Sequence, residues 1–492
     1  MKATLVMKIK LFTIALFCWG IASYAQPVQK MEAKEPIGRN ISITVSPLKK
    51  CLIYLGTYYG KSIVLSDSAM LDEKGHGTFK NANKLTEGIY FIVSPQKVIQ
   101  FEFLIGNQQH FSITADTTLK DNVVITGSPD NDLFKEYSKL SVEKGKKIAG
   151  LLKQLENTKT KHDSTSIKTE ITKENNALQN YREDLIHKHP TSLLATLLTA
   201  MKRPEVPNIP IVKGRADSSY PYRFVKDHFW DDVSFNDDRL LHTPFFEPKL
   251  DDYLKYYVSP EPDSIISEIK YILLSARTGK ELYPYLLTKF TNKYINPEFM
   301  GQDKVFIYLF ENFYAKGDTT FLNTSSRKTI FDRAYSMLAN QIGNPAPVLN
   351  LVDTTGKTRS LYGLKGAFTL VVFWDPTCGH CKEELPRVDS IYKAKWKGLG
   401  LQLYSVNIAE KTMDELKKFV HDKSFSTDWI YTYEPKATTE AQQAAGQANF
   451  RQLYDVFKTP TLYLLDEKKN IIAKQLTIDQ FDRLIDAKLK SK

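Results

Sequence analysis

An unbroken apolar run, LVVFW at residues 370–374, is followed by the tripeptide DPT at 375–377 and then by the sequence CGHC at 378–381. Such a run is typical of a central β-strand that is buried on both faces of its sheet. The proline of the tripeptide favours a turn, and the residues that follow favour a helix. The C-terminal part of the chain is therefore predicted to contain a strand–turn–helix unit with two cysteines in the first helical turn.

This position of the cysteines has chemical consequences. The first N–H groups of a helix have no intrahelical partner and the helix dipole is positive there, so a thiolate on Cys378 is favoured. His380 adds another donor and, when protonated, a positive charge. Cys381 follows three residues after Cys378 on the same helical face, which is close enough for a disulfide between them.

The use of cysteine along the chain supports a redox role for this pair. Of the four cysteines, Cys18 lies in the N-terminal apolar segment, and Cys51 stands alone and is expected to be a small buried apolar group. A structural framework would use more cysteines spread over longer loops. A static disulfide or half of a zinc site remain alternatives, although no second Cys/His pair follows at ligand spacing.

Residues 227–242 contain five aspartates and two histidines and raise the question of a metal site. Zinc and calcium sites need several ligands at fixed spacing, and this aromatic-rich stretch lacks such spacing. A packed turn region is therefore expected there, and neither a metal nor any other cofactor is predicted for the chain.

Several further features stand at defined distances from the cysteine pair. Glu384 follows Cys381 by three residues and Pro386 by five, while Thr459 and Pro460 precede an apolar run at 462–465. Together with the Phe-Trp dipeptide at 373–374 and the strand and helix patterns at 401–408 and 413–420, they make residues 341–492 resemble TlpA-like (ResA-like) proteins. These are exported thiol–disulfide oxidoreductases with a thioredoxin fold.

The resemblance implies four catalytic residues. Cys378 would be the exposed attacking thiolate, and Cys381 the buried thiol that resolves the mixed disulfide. Glu384 would accept or relay the proton of Cys381, with a solvated helix glutamate as the alternative. His380 would tune the Cys378 thiolate, with an exposed and passive imidazole as the alternative.

The resemblance also implies a substrate-binding part of the site. Pro460 would follow a cis peptide bond and pack beside the sulfurs, and the backbone of Thr459 would pair with an extended substrate. Trp374 would pack under the site, although a plain core residue is an equal alternative. A trans turn is the alternative for Pro460.

The motif departs from thioredoxin itself at three places: Thr377 replaces the usual tryptophan, the dipeptide between the cysteines is Gly-His, and Val372 replaces the buried aspartate. The first two changes leave the redox potential open, and the third favours Glu384 as the substitute proton handler. Peroxide reduction is a less favoured function, because Asp375 and Val371 occupy the threonine and proline positions of the peroxiredoxin motif.

The patterning changes twice in the rest of the chain, which at 492 residues is too long for one core. Residues 37–128 alternate with period two and predict an antiparallel β-sandwich, and residues 131–340 have helical periodicity and predict an α-helical domain. Both resemble N-terminal domains of unknown function that precede thioredoxin domains in large bacterial envelope proteins. The predicted fold is thus multidomain, with residues 341–492 as a C-terminal α/β thioredoxin-like domain.

The N-terminus has the pattern of a secretory signal peptide over residues 1–25. Lys8 and Lys10 precede an apolar run at 11–21, and the sequence SYA at 23–25 supplies small residues for cleavage. The run is shorter than the about 20 residues that span a bilayer, and no later segment is apolar enough to do so. The mature chain is expected in the periplasm or cell envelope without a transmembrane helix, with an uncleaved anchor as the alternative.

These features predict an exported thiol–disulfide oxidoreductase that acts on client proteins, more in the direction of reduction than of oxidation, and that receives electrons from a membrane-linked thiol donor. An oxidase or isomerase of disulfides is one alternative. A client-binding or scaffold protein, in which the N-terminal domains have the main role, is another. A nucleic-acid partner is not expected, because the net charge of +11 is spread among interleaved acidic and basic residues.

Overall fold

The computed structural model describes residues 38–118, 122–157 and 160–490. The signal peptide predicted over residues 1–25, with Cys18, lies outside the described residues. Within the described ranges, no helix combines the length and the apolar surface that crossing a bilayer requires. Along the chain, a group of strands is followed by a group of helices and then by alternating strands and helices.

The N-terminal strands form two packed sheets. Their bounds are β1 (Arg39–Ser46), β2 (Leu52–Tyr59), β3 (Ser62–Met70), β4 (His76–Asn81), β5 (Gly88–Val93), β6 (Ile99–Ile105), β7 (His110–Asp116) and β8 (Val123–Thr126). The sheet orders are β4-β1-β7-β8 and β3-β2-β5-β6. Ile41, Ile43 and Val45 alternate along β1 and share one buried core with Ile53 and Ile92 of the other sheet. The predicted β-sandwich is therefore confirmed; Cys51 packs half-buried against its core.

One strand pairing in the sandwich differs from the prediction of a wholly antiparallel arrangement. β1 and β7 are parallel, with Asn40 opposite His110 and Ser46 opposite Asp116. The chain passes through β2 and β3, and later β5 and β6, in the second sheet before β7 returns beside β1. A connection of this length allows parallel pairing, whereas a tight hairpin requires antiparallel strands. Period-two alternation is the same in both cases and could not distinguish them.

The central part of the chain is helical. Its bounds are α1 (Pro129–Asn157), α2 (Lys161–Lys188), α3 (Leu193–Met201), β9 (Ile211–Val212), β10 (Arg215–Ala216), α4 (Tyr220–Asp227), α5 (Phe246–Tyr256), α6 (Pro262–Ser275), α7 (Leu282–Tyr294), α8 (Asp303–Asn312) and α9 (Thr324–Leu338). Helices α1 and α2 pack along one another, with Lys144 and Lys147 both 2.7 Å from the Glu174 carboxylate. Helices α5 to α9 enclose one large apolar core.

Residues 227–242 lie at the edge of this helical core. Phe229, Trp230 and Leu240 are buried within it. His242 is buried towards the β-sandwich, where its Nε2 lies 3.1 Å from Glu281 and its Nδ1 lies 3.4 Å from the hydroxyl of Thr57. In the part of the chain that the structure describes, no three His, Cys, Asp or Glu side chains are grouped as metal ligands would be.

The C-terminal part is a seven-stranded mixed sheet with helices on its faces. Its bounds are β11 (Asn350–Asp353), β12 (Thr358–Ser360), β13 (Phe368–Trp374), α10 (Gly379–Ile391), β14 (Leu401–Asn407), α11 (Met413–Asp422), β15 (Ile430–Tyr433), α12 (Lys436–Ala444), α13 (Phe450–Leu453), β16 (Thr461–Asp466), β17 (Ile471–Lys474) and α14 (Ile478–Lys490). The sheet order is β12-β11-β15-β14-β13-β16-β17, with β13 parallel to β14 and antiparallel to β16. The predicted C-terminal α/β fold is therefore confirmed.

Strand β13 is the centre of this domain, and every one of its residues is buried. Leu370, Val372 and Trp374 belong to the core between the sheet and helices α10 and α14. Val371 and Phe373 belong to the core on the opposite face. The unbroken apolar run at 370–374 is thus explained by burial on both faces, and β13 ends directly below the start of α10.

Candidate active site

Cys378 lies at the N-cap of helix α10, with extended backbone angles of φ −73° and ψ 128°. The preceding turn is closed by the Cys378 N–H, which donates to the carbonyl of Asp375 at 3.1 Å. Cys381 lies in the first turn of α10 and is fully buried, whereas Cys378 is half-buried. Both thiols are free, so the structure represents the reduced dithiol.

The surroundings of Cys378 favour its thiolate. A side-chain hydrogen bond with Thr459 is the largest influence that lowers the pKa of the Cys378 thiol, and the backbone N–H of Cys381 is the second. Hydrogen bonds donated to a charged form stabilise that form. The helix N-terminus therefore acts through individual N–H groups, and Thr459 approaches from a different part of the fold.

The surroundings of Cys381 have the opposite effect. The pKa of the Cys381 thiol is raised to about 12, with burial as the largest cause; the Asp375 backbone and the Thr459 side chain act in the lowering direction, and the nearby Cys378 in the raising direction. Burial disfavours the charged form of a thiol because the low-dielectric interior solvates charge poorly. At neutral pH the Cys378 sulfur is thus partly exposed and ionises more readily, whereas the Cys381 sulfur is buried and protonated.

Thr459 and Pro460 lie beside the first cysteine, and the peptide bond between them is cis. The Cys378 thiol donates a hydrogen bond to the Thr459 carbonyl at 3.6 Å. Strand β16 begins at the next residue and pairs with β13, which brings this loop to the same end of the sheet as the cysteines. The side chain of Thr459 is a contribution that the sequence interpretation missed, since it considered only the backbone of this residue.

Trp374 lies inside the core. Its side chain is fully buried, its Nε1 donates to the hydroxyl of Ser405 at 2.7 Å, and its ring lies 5.8 Å from that of Phe419. A residue without exposed surface does not touch a client in this conformation. Trp374 therefore supports the end of β13 and is not itself part of the accessible surface of the site.

His380 and Glu384 make their polar side-chain contacts with neighbours on helix α10. The side chain of His380 is 85% exposed, and its Nδ1 lies 4.0 Å from Glu383. The carboxylate of Glu384 is 3.1 Å from Arg387 on the next turn of the helix. The structure thus brings together Cys378, Cys381, Thr459 and cis-Pro460, and the roles predicted for His380 and Glu384 remain predictions.

Comparison with known families gives two matches along the chain. Residues 342–474 match the model of the AhpC/TSA family, and residues 153–330 match a domain of unknown function, DUF5106. The C-terminal match covers the cysteine pair and the loop at Thr459. The function of the central match is open, as the sequence resemblance implied.

Individual relatives are similar to parts of this chain. The thiol–disulfide oxidoreductase ResA of Bacillus anthracis is 27% identical over 150 residues, which are 30% of this chain and 78% of ResA. ResA of Bacillus subtilis (strain 168) is 29% identical over 130 residues, which are 26% of this chain and 64% of ResA. The crystal structure of a thioredoxin-like protein from Bacteroides caccae is 22% identical, with a TM-score of 0.45, over 58% of this chain and 99% of that one.

The family match, the ResA relatives and the arrangement of the sheet agree with one another. The resemblance predicted from the cysteine motif and its surrounding residues is confirmed. Residues 342–474 form a thioredoxin-like domain of the AhpC/TSA family, related to the ResA thiol–disulfide oxidoreductases.

Proposed function

We propose that this chain is an exported thiol–disulfide oxidoreductase that reduces disulfides of client proteins in the cell envelope. The observation that carries the proposal is the asymmetry of the two sulfurs. Cys378 is half-buried and its pKa is lowered, whereas Cys381 is fully buried and its pKa is raised to about 12. Because the thiolate is the nucleophile in disulfide exchange, this asymmetry supports Cys378 as the residue that attacks first.

Reduction of a client proceeds in two exchange steps. The Cys378 thiolate attacks one sulfur of the client disulfide and forms a mixed disulfide, while the other client sulfur leaves as a thiolate and takes up a proton. Cys381 then loses its proton and attacks the Cys378 sulfur, which closes the Cys378–Cys381 disulfide and releases the second client thiolate. Two electrons have passed to the client, and a membrane-linked thiol donor returns them by the reverse steps.

Client recognition is proposed to use the loop at Thr459. The carbonyl of Thr459 lies 3.6 Å from the Cys378 sulfur, and the loop leads into strand β16. An extended client segment that pairs with this backbone would present its disulfide to Cys378. The burial of Trp374 favours a supporting role for this residue, below the loop and the helix.

The decisive experiment is to replace the resolving thiol. In the Cys381→Ser variant the second step cannot occur, so mixed disulfides on Cys378 are expected to accumulate and to disappear on treatment with dithiothreitol. The variant is expressed with its N-terminal segment, and the adducts are sought in the periplasmic fraction by mass spectrometry. Absence of adducts on Cys378 would overturn the exchange mechanism, and adducts confined to the cytoplasm would overturn export.

Two variants serve as matched controls for the trapping experiment. Cys378→Ser removes the attacking sulfur, and the exchange mechanism requires that it trap nothing. Cys51→Ser removes a thiol that packs against the core of the β-sandwich, far along the chain from the motif, and should leave trapping unchanged. Equal trapping by Cys378→Ser would show that the adducts form by another route.

The direction of the reaction follows from the reduction potential of the cysteine pair. Thioredoxin has a potential of about −270 mV and disulfide isomerases of about −180 mV. We expect a value nearer that of thioredoxin, which is measured by equilibration with glutathione or dithiothreitol redox buffers. A value at or above that of the isomerases would favour the oxidase or isomerase alternative.

A further inference from the structure

One segment of the C-terminal domain connects its redox site to the helical domain. Residues 454–460 run from the end of α13 to the start of β16. Thr459, near the end of this segment, contacts the Cys378 sulfur. Asp455, near its beginning, is 4% exposed and adopts a left-handed backbone conformation with φ 52°.

Arg333 on helix α9 holds the beginning of this segment. Its guanidinium forms an ion pair with Asp455, and its own side chain is only 11% exposed. The same guanidinium donates to the carbonyl of Ile295 at 2.8 Å and to the side chain of Asn296 at 3.1 Å. Arg333 is thus fixed on the helical side by residues that follow α7, and its orientation does not depend on Asp455 alone.

Two further contacts join α9 to the same segment. The Arg333 guanidinium lies 4.2 Å from the centre of the Phe457 ring, which is otherwise 68% exposed. Asn340, just after α9, donates to the carbonyl of Leu453 at 3.0 Å. The helical domain therefore contacts residues 453, 455 and 457 in turn, and the next alternate residue is Thr459.

We propose that Arg333 is a positioning residue of the helical domain, which holds residues 455–459 in place and thereby keeps Thr459 at the Cys378 sulfur. Its relevance for catalysis rests on the proposed function. The DUF5106 match ends at residue 330, so this contact arises where that domain adjoins the thioredoxin-like domain. The helical domain would then set the reactivity of a thiol that it does not touch.

Arg333 would act by fixing the geometry of residues 455–459. Removal of the guanidinium leaves the buried Asp455 carboxylate without its partner, which is costly, so the segment is expected to shift until the carboxylate reaches water. Hydrogen bonds weaken steeply with distance and angle, so a small shift at Thr459 is enough to change both the contact of its carbonyl with the Cys378 sulfur at 3.6 Å and the lowering of the Cys378 pKa by its side chain. Cys381 is a titratable group that acts on the Cys378 thiol directly. Asp375 and His380 belong to the adjoining turn and helix, and Lys458 precedes Thr459 in the loop.

The experiment measures the pH profile for alkylation of Cys378 by iodoacetamide in the full reduced chain, with the modified peptide identified by mass spectrometry. In Arg333→Met we expect the profile to move to higher pH, with the rate at pH 7 reduced by about threefold or more, because less thiolate is present. Arg333→Lys keeps the charge but loses the planar fork, so it is expected to move the profile in the same direction. Lys328→Met, which removes an exposed ion pair on the same helix, is the matched control and should leave the profile unchanged.

A double-mutant comparison tests whether the effect passes through Thr459. If Arg333 acts by positioning Thr459, the shift caused by Arg333→Met is smaller in a Thr459→Val background, which keeps the backbone carbonyl at the sulfur but loses the hydroxyl. An equal shift in both backgrounds would show a direct electrostatic effect, and an unchanged profile in Arg333→Met would show no coupling; either result overturns the proposal. Should Arg333→Met fail to fold, Asp455→Asn keeps the shape of the partner and weakens its attachment to Arg333. A profile that moves to higher pH then supports the proposal, and an unchanged profile overturns it.

This readout is separate from the proposed function. Alkylation reports the Cys378 thiolate whether or not the chain reduces a client, whereas trapping with Cys381→Ser reports exchange whether or not Arg333 matters. If the alkylation profile shifts in Arg333→Met but Cys381→Ser traps no clients, only the proposed function is contradicted. If Cys381→Ser traps clients but the alkylation profile is unchanged in Arg333→Met, only the positioning role of Arg333 is contradicted.

Discussion

At the scale of single residues, the two cysteines differ because one faces donors and the other faces the core. Thr459 and the backbone N–H of Cys381 lower the pKa of Cys378, and burial raises the pKa of Cys381 to about 12. The residue between them that was expected to help, His380, directs its imidazole to solvent. The reactivity of the pair thus depends on the backbone and on a threonine 81 residues away.

This difference predicts a pH dependence of thiol reactivity. The thiolate reacts and the thiol does not, so the alkylation rate of Cys378 rises with pH through its pKa. Because that pKa is lowered, half of the maximal rate should be reached at a lower pH than for a cysteine in an unstructured peptide, while Cys381 stays unmodified at neutral pH. Thr459→Val should move the Cys378 curve to higher pH. A wild-type curve that coincides with that of the peptide would contradict the assignment.

At the scale of elements, helix α10 connects the reactive sulfur to the sheet. Cys381, Leu385 and Val388 recur at spacings of four and three residues, and all three are fully buried against the core that contains Val372 and Trp374 of β13. Pro386 lies inside the helix next to this apolar face. The N-terminus of α10 is therefore held above the end of β13 by packing, which fixes the direction of its unpaired N–H groups.

The anchoring role of α10 can be tested by creating a cavity. Leu385→Ala should lower the free energy of unfolding of the C-terminal domain by about 2–5 kcal/mol, because it removes buried apolar contacts and leaves a void. The measurement is urea denaturation followed by tryptophan fluorescence. Glu383→Ala, at a position that is 78% exposed on the same helix, is the control and should cost less than about 1 kcal/mol. Equal effects of the two substitutions would argue against the packing described.

At the scale of the whole molecule, the helical and C-terminal domains meet through buried charge. Lys474 at the end of β17 is 3% exposed and lies 2.7 Å from Asp303 of α8, which is 4% exposed. Its ammonium also donates to the backbone and side-chain oxygens of Asn340. On the other side of the helical domain, the Lys61 N–H of the β-sandwich donates to Glu247 at 2.5 Å. In each junction a nitrogen donor of one domain is bound by a carboxylate of the helical domain.

The buried pair between Lys474 and Asp303 predicts a large effect of breaking it on one side. Lys474→Met leaves the buried Asp303 carboxylate without its cationic partner and should destabilise the junction by about 3–5 kcal/mol. Amide hydrogen exchange at residues 336–345, together with urea denaturation, measures this loss. Lys304→Met, which removes an exposed pair with Asp263, is the control on the same helix.

A second variant separates the unpaired charge from the lost lysine. Replacing both partners, by Asp303→Leu with Lys474→Met, removes the uncompensated charge and should recover part of the stability. Exchange rates for Lys474→Met that equal those of the wild type would show that this pair does not hold the two domains together.

The sequence by itself determined the features that depend on neighbouring residues. The apolar run at 370–374 predicted a strand buried on both faces, the alternation at 37–128 predicted a sandwich, and the position of Cys378 predicted a thiol at a helix N-terminus. Thr459 and Pro460 indicated the loop beside it through the family resemblance. These properties follow from side-chain periodicity and from local backbone geometry, which a linear sequence contains directly.

Only the tertiary structure decided the features that depend on distant parts of the chain meeting. It made β1 and β7 parallel, enclosed Trp374, paired His380 and Glu384 with neighbours on helix α10, and brought Thr459 to Cys378 and Arg333 to Asp455. Parallel and antiparallel strands have the same period-two alternation of side chains, so the sequence pattern does not reveal strand direction. The rotamer of a surface side chain depends on partners that packing selects. The chemistry of the motif therefore follows from neighbouring residues. Its environment depends on contacts between distant residues, such as Arg333 and Asp455, which are 122 positions apart.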